Sequence, residues 1–204
     1  MTRQNVDLFS TTDALTPIPI EDGELYFLEH LKLPGDDILS RLIAQTAWRA
    51  EYVTVWGKRH LQPRLTAWHG DASYRYSGMT LNPLPFTALL LDIKQAVEQA
   101  SGRKFNSVLL NYYRDQNDSM GFHSDDESEL GPDPVIASLS LGAPRTFILK
   151  HKRLPKTMKL SLGNRNMLLM AGKTQANWQH GIKKEGVFCG PRVNLTFRNV
   201  WQVD

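Results

Sequence analysis

The 204-residue sequence has a single cysteine, Cys189, so no disulfide can form within the chain. The paired-cysteine spacing of a structural zinc site is also missing, and a reducing, intracellular setting is the expectation. Long apolar runs are absent too: none approaches the roughly 20 residues that a membrane-spanning helix needs. The stretch from Met1 to Asp13 is polar and acidic rather than basic and then apolar, so a secretory leader is not expected either. Repeats and low-complexity tracts are lacking. A chain of this length buries roughly 70% of its unfolded surface on folding, enough for a core without staples. The expectation is one domain over residues 1–204, a soluble cytoplasmic monomer, or a nuclear one in a cell with a nucleus.

Net charge is another thing the chain has little of, at +3 with a pI near 9.0, so distribution matters more than the sum. Arg145, Lys150, Lys152, Arg153, Lys156 and Lys159 form a basic segment without acids, whereas Asp115 to Asp133 holds seven acids and no Lys or Arg. Two readings stand side by side. Both segments are solvated loops, or the basic one is a phosphate-contacting strip beside a metal-binding loop.

What the sequence does contain is two amphipathic helices followed by strand-like segments. Ile38, Leu42, Ile43 and Ala47 recur on one helical face from about Asp37 to Ala50, and Leu89, Leu90, Ile93, Ala96 and Val97 from about Pro85 to Ala100, which stops at Ser101-Gly102. Beyond it lie short apolar or alternating segments: 107–113, 135–141, 146–150, 159–162, 167–170 and 194–201, separated by turns rich in Gly, Pro and Asn. The pattern predicts an α+β chain with a mainly β core, an antiparallel sandwich or jelly roll with the helices packed outside. It divides into an N-terminal extension with the first helix (1–50), a lid (51–80) and the β core (105–204).

Tyr52 to Gly78 interleaves aromatic residues (Trp56, Trp68, Tyr74, Tyr76) with bases (Lys58, Arg59, Arg64, Arg75). Trp48 and Trp68 suit plugs of the sandwich. Trp56, followed at once by Gly57-Lys58-Arg59, suits an indole at a turn tip beside phosphate-seeking charge, as a base-stacking wedge would be.

A dispersed polar set carries the chemistry: Asn111 and Tyr113, then His123-Ser124-Asp125, then His180, then Arg192-Val-Asn-Leu-Thr-Phe-Arg198. Two imidazoles and a carboxylate can take one face of a ferrous ion and leave the other open. His123 and Asp125 are read as following a strand and a Gly-containing turn, and His180 as sitting in a Gly-ending turn. Alternation along 192–198 puts Arg192, Asn194, Thr196 and Arg198 on one strand face and Val193, Leu195 and Phe197 on the other. If the arginine face points inward it must meet fixed negative charge, because an unpaired buried guanidinium is very costly. His30, His60, His69 and His151 have no comparable neighbours and read as structural or exposed.

These motifs together resemble the AlkB family of iron(II)- and 2-oxoglutarate-dependent dioxygenases, over roughly Val53 to Trp201. Val55-Trp56-Gly57-Lys58, Pro63-Arg64 and Ser77-Gly78 make the chain most similar to the branch that repairs alkylated double-stranded DNA, with Trp56 where that branch often has phenylalanine. The resemblance implies a double-stranded β-helix (jelly roll) with a nucleic-acid-binding lid, and Fe(II) held by His123, Asp125 and His180. It implies that Arg192 pairs with the far carboxylate of 2-oxoglutarate, with Tyr113 and Asn111 adding hydrogen bonds and Asn194 and Thr196 on the same face. Arg198 would hold the keto-acid end or an acid such as Asp126.

On the substrate side the resemblance implies that Asp126 and Glu127 face the exocyclic amine of a flipped base held between Tyr76 and His123. Trp56, Gly57, Lys58, Arg64 and Tyr74 would engage the duplex. The implied activity is oxidative dealkylation of 1-methyladenine and 3-methylcytosine in double-stranded DNA with Fe(II), O2 and 2-oxoglutarate, releasing formaldehyde, succinate and CO2. Alternatives are an RNA or single-strand demethylase, an oxygenase acting on protein, and a catalytically silent nucleic-acid-binding module.

Overall fold

The computed structural model describes residues 14–55, 58–71, 74–76, 79–81 and 83–201. In chain order, β1 (Thr16–Ile18) and β2 (Glu24–Leu28) precede α1 (Ile38–Gln45). Then β3 (Tyr52–Val55), β4 (Lys58–Leu61), β5 (Leu65–Gly70), β6 (Tyr74–Tyr76) and β7 (Met79–Leu81) lead to α2 (Ala88–Ser101). There follow β8 (Ser107–Tyr113), β9 (Met120–His123), β10 (Ile136–Gly142), β11 (Arg145–His151), β12 (Thr157–Leu162) and β13 (Met167–Ala171). A one-turn helix α3 (Thr174–Asn177), β14 (Trp178–Ile182) and β15 (Arg192–Arg198) complete the order.

Eleven of the strands make two antiparallel sheets. One has seven strands in the order β1-β2-β13-β10-β15-β8-β5, the other four in the order β12-β11-β14-β9. The pairs β3-β4 and β6-β7 are separate two-stranded ribbons within the region read as a lid. The arrangement is consistent with the expected jelly roll. It differs from the expected subdivision, because β1, β2 and β5 belong to the larger sheet and the β core therefore reaches well upstream of residue 105. Strands of three to six residues carry too few alternations to stand out from loops in a sequence. None of the described helices is long and apolar enough to cross a membrane.

Strand alternation explains why the larger sheet can be buried on both faces. On its central strands one set of residues, Val108 and Leu110, Ala137 and Leu139, Val193, Leu195 and Phe197, packs with Ile38 and Leu42 of α1 and with Leu89, Leu90, Ile93 and Val97 of α2. The other set faces the smaller sheet, where Leu109, Tyr113, Ile136 and Met170 meet Phe147, Leu149, Trp178 and Ile182. Beyond Ile136 on β10 and all along β15 this inner set is polar: Ser138 and Ser140, then Arg192, Asn194, Thr196 and Arg198, all buried. Register aligns them in rows, with Asn194 opposite both Ser140 and Asn111, and Arg192 opposite both Gly142 and Tyr113. Gly142 has φ +97°, and a Cβ there would stand 2.4 Å from the Pro191 carbonyl, so only glycine fits beside Arg192.

The helices form for local reasons and end for both local and tertiary ones. The α2 segment is rich in strong helix formers. The Thr87 hydroxyl accepts from the Leu90 N–H at 3.3 Å, and Gly102 closes the helix in the left-handed region. The first helix is shorter than its sequence pattern suggests, ending at Gln45 instead of Ala50, with Ala47 exposed. There the chain turns extended. Trp48 Nε1 donates to the Ile43 carbonyl at 3.0 Å, and Arg49 and Thr66 exchange backbone hydrogen bonds of 2.8 and 2.9 Å. Pairing to β5 takes the backbone groups that a continuing helix would need. The two tryptophans pack as plugs, Trp68 buried between the sheets and Trp48 on the helix side 5.2 Å from the Tyr112 ring.

Candidate active site

The two histidines meet because β9 and β14 are neighbours in register, with His123 directly opposite His180. Both lie on strands: His123 is the last residue of β9, and His180 is the middle residue of β14 rather than part of a turn. The turn reading fails because β14 is a five-residue strand that includes Gly181, a residue that suggests a break in sequence. In the sheet, a Cβ at Gly181 would lie 3.0 Å from the Met120 carbonyl, so this glycine permits the close approach of β9.

The ring centroids of His123 and His180 are 4.4 Å apart, and Phe147 stacks against His180 at 5.2 Å. Nδ1 of His123 lies 3.0 Å from the Gly121 carbonyl. That oxygen can only accept, so the proton sits on Nδ1 and leaves Nε2 with a free lone pair.

Asp125 follows β9 and is fully buried. Its backbone N–H donates to Gln175 Oε1 at 2.9 Å. Oδ1 accepts from Arg198 Nη2 at 2.5 Å, while Oδ2 has no hydrogen-bond partner among the described residues and lies 3.6 Å from His180 Nε2. One ligand atom from each of His123, Asp125 and His180 can be chosen so that all lie within 4.8 Å of one another. A buried carboxylate oxygen without a donor, facing two imidazoles, fits a divalent cation with open positions.

The floor of the cleft comes from β8, β10 and β15. Arg192 is 1% exposed. Its Nη2 donates to Ser140 Oγ at 2.9 Å, and Nε and Nη1 have no partner among the described residues. Its guanidinium carbon sits 5.1 Å from the Tyr113 ring centroid, and the Tyr113 hydroxyl reaches Met120 Sδ at 3.8 Å. Asn194 donates to Ser138 Oγ at 2.8 Å, and Thr196 donates to Asn194 Oδ1 at 2.9 Å. Asn111 Oδ1 accepts from Arg64 Nε at 2.7 Å. A buried cation whose hydrogen-bonding partner is a neutral serine is costly unless an anion completes it, so the Arg192 end is chemically a carboxylate receptor.

Burial and charge tune these groups. Burial is the largest influence on the Asp125 carboxyl and raises it, but Arg198, His180 and His123 together outweigh it and hold the group at about 2. Burial pushes His180 down to about 3 and also lowers His123. Burial takes Arg192 down to about 10, against the influence of Tyr113 and with that of Arg145.

The sign of the pH dependence follows. For His180 and Asp125 the folded value lies below the ordinary 6.5 and 3.8, so the unfolded chain takes up protons first as pH falls. The stability they contribute is full above about pH 6.5 and is lost through the window from 6.5 to 3 for His180 and from 3.8 to about 2 for Asp125. Chelator-treated protein should therefore melt at progressively lower temperature between pH 7 and pH 4 by calorimetry, and replacing His180 with Gln should flatten that slope. A melting temperature independent of pH in the parent protein would contradict the buried, neutral state of His180.

Other expected site residues fall differently. Arg198 is paired with Asp125 and not Asp126, because the end of β15 faces the loop directly after His123, while Asp126 is exposed and held by Lys152 Nζ at 3.1 Å. Glu127 is half-buried in the same loop. Arg64, expected among the duplex-contacting residues, is 5% exposed. It turns inward because Asn111 offers a buried acceptor across the β5-β8 pair. Trp56 and Gly57 lie outside the described residues, as do the side chains of Lys58, Tyr74 and Tyr76.

The basic segment does not form one strip. Arg145 is buried, Lys150 lies 4.2 Å over the Phe122 ring, Lys156 pairs with Glu21, and Arg153 bonds Asn177. Its opposite number is not wholly solvated either, since Asp118 is buried in a two-point pair with Arg114. The sequence passes over Ser138, Ser140 and Gln175, and marks Arg145 only as part of the basic segment. Alternation with Ala137 and Leu139 marks the two serines, whereas nothing local marks Gln175.

Against known proteins, the profile of the 2OG-Fe(II) oxygenase superfamily matches residues 34–198. Mouse (Mus musculus) alpha-ketoglutarate-dependent dioxygenase alkB homolog 3 is 43% identical over 177 residues, covering 82% of this chain and 62% of the mouse protein. Mouse DNA oxidative demethylase ALKBH2 is 40% identical over 158 residues, covering 72% of this chain and 66% of its own length. The chain thus spans just under two thirds of the length of these relatives. The solved structure of OsALKBH1 superposes with a TM-score of 0.61 at 15% identity, covering 90% of this chain and 100% of that one, a likeness of fold.

Proposed function

Because the chain belongs to the 2OG-Fe(II) oxygenase superfamily, we propose that it is an iron(II)- and 2-oxoglutarate-dependent demethylase of alkylated nucleic acid, acting on 1-methyladenine and 3-methylcytosine in double-stranded DNA. The observation that carries this reading is one cleft holding a His-Asp-His cluster, with Asp125 and His180 buried and His123 half-buried, at one end and an anion-seeking Arg192 at the other. The relatives named as an alkB homolog and a DNA oxidative demethylase support the nucleic-acid substrate.

In this reading His123, Asp125 and His180 hold the iron, which when bound couples decarboxylation of 2-oxoglutarate by O2 to oxidation of the N-alkyl carbon. Succinate, CO2 and formaldehyde are the products. The chain's own contribution is placement. Arg198 occupies Oδ1 of Asp125 and leaves Oδ2 for the metal. Arg192 keeps Nε and Nη1 without partners among the described residues, N–H donors left for the far carboxylate. Tyr113 and Asn111 border the same space, with Arg64 holding the amide oxygen of Asn111 so that its amide nitrogen is left to donate. Phe147 and Met170 line the cleft with apolar surface that keeps water from the reacting carbon. On the substrate side, Asp126 and Glu127 read the exocyclic amine, Tyr76 and the His123 ring hold the flipped base, and Lys58 contacts phosphate.

Turnover of oligonucleotides carrying either lesion, single- and double-stranded, with product bases identified by mass, tests the assignment directly. Trp56→Ala should lower repair of duplex about tenfold or more while changing repair of single strands less than about threefold, since extruding a base from a duplex costs a few kcal/mol of unstacking that a wedge offsets. Equal losses on both substrates would move the activity to single-stranded nucleic acid. No release of formaldehyde from any methylated oligonucleotide would remove the nucleic-acid reading.

A further inference from the structure

Arg145, the first residue of β11, is a fully buried cation that does not line the cleft. Its Nη2 donates to the carbonyls of Asp118 and Lys183, both at 2.8 Å, and its Nη1 to that of Asp115 at 3.1 Å. The acidic partner is Glu185, whose Oε1 is 3.7 Å from Nε. Those carbonyls belong to two connections, the one joining Tyr113 to the His123 strand and the one joining the His180 strand to Arg192. The same guanidinium lies over the Tyr113 ring at 5.5 Å, and Arg192 lies over that ring at 5.1 Å. Two buried arginines thus share one aromatic ring behind the carboxylate-receiving end of the cleft.

We propose that Arg145 is a positioning residue that makes the cleft select a dicarboxylate over a singly charged 2-oxo acid. Its fork locks the two connections and the Tyr113 ring, which fixes where Arg192 can stand. Its charge repels that of Arg192 through a medium of low dielectric, where like charges interact strongly. A ligand bringing a second negative charge to this end relieves the repulsion, whereas a ligand ending in a methyl group does not. The inference rests on the proposed function, since it takes 2-oxoglutarate as the ligand.

The test is calorimetric binding of 2-oxoglutarate and of 2-oxopentanoate, which has the same chain length without the far carboxylate, to the full chain loaded with Mn(II) in the absence of oxygen. Arg145→Met should weaken 2-oxoglutarate binding about tenfold, in line with the loss of charged interactions, and leave 2-oxopentanoate within about threefold. Glu185→Gln, at a half-buried side chain where the amide can still accept from the Thr146 N–H, removes the counter-charge. It should tighten 2-oxoglutarate about threefold with 2-oxopentanoate unchanged. A merely structural role would weaken both ligands alike in the methionine variant, and that result overturns the proposal. Should that variant fail to fold, an unchanged ratio in Glu185→Gln overturns it as well. If the parent protein binds no 2-oxoglutarate, the functional reading itself fails, and the inference with it. If the parent binds it and the ratio stays constant across the variants, only the role of Arg145 is lost.

Discussion

Replacing His123, Asp125 or His180 with alanine abolishes 2-oxoglutarate turnover and metal retention, because three ligands on one face of the ion leave none to spare. The variants should differ in stability. At His123 the side chain is half-buried at a strand end, so the fold should be little changed. His180 stacks on Phe147, and its loss opens a small void. Asp125 pairs with Arg198 at 2.5 Å, both side chains 1% exposed, so Asp125→Ala strands a buried guanidinium and should destabilise the fold by about 3–5 kcal/mol. Asp125→Asn keeps a hydrogen-bond acceptor for Arg198 and separates loss of metal from loss of fold. Succinate formation with iron content measured in parallel is the check, and turnover within about threefold of the parent in any alanine variant would remove that residue from the metal site.

Arg192→Lys should raise the 2-oxoglutarate concentration needed for half-maximal turnover by about tenfold or more. A charged hydrogen bond contributes roughly 1.5–3 kcal/mol, and an ammonium cannot reproduce a planar two-point contact. The geometry sharpens the expectation. Only one Nη2 hydrogen goes to Ser140, and Nε and Nη1 have no partner among the described residues, so a guanidinium edge remains for a carboxylate. A lysine would also lose its contact to Ser140 whenever it reached for the ligand. Initial rates against 2-oxoglutarate at saturating iron decide it, and an unchanged requirement would place the far carboxylate elsewhere.

The β15 motif shows how far local pattern reaches. Seven alternating residues divide unambiguously into an apolar face and a polar one, and the structure buries both, one under the helices and one over the cleft. The helix from Ala88 to Ser101 was equally readable, because its formers and its Gly102 stop are all local. The first helix was not: the residues that end it, Trp48 and Arg49, act through Ile43 and Thr66. A propensity pattern has no means of registering a competing strand.

Side-chain chemistry and alternation, both carried by near neighbours, are what the sequence by itself determined: two imidazoles, a carboxylate and an arginine-bearing strand face as ingredients of one site. Partnership was decided only by the tertiary structure. Register across β9 and β14 set His123 against His180, and Asp125 rather than Asp126 became the partner of Arg198. Arg64 and Arg145, which the sequence marks only as basic residues, turned inward to Asn111 and to three backbone carbonyls. The physical reason is desolvation. Whether a cation faces phosphate or is buried depends on whether acceptors from distant segments converge on it, and that convergence exists only once the strands have paired.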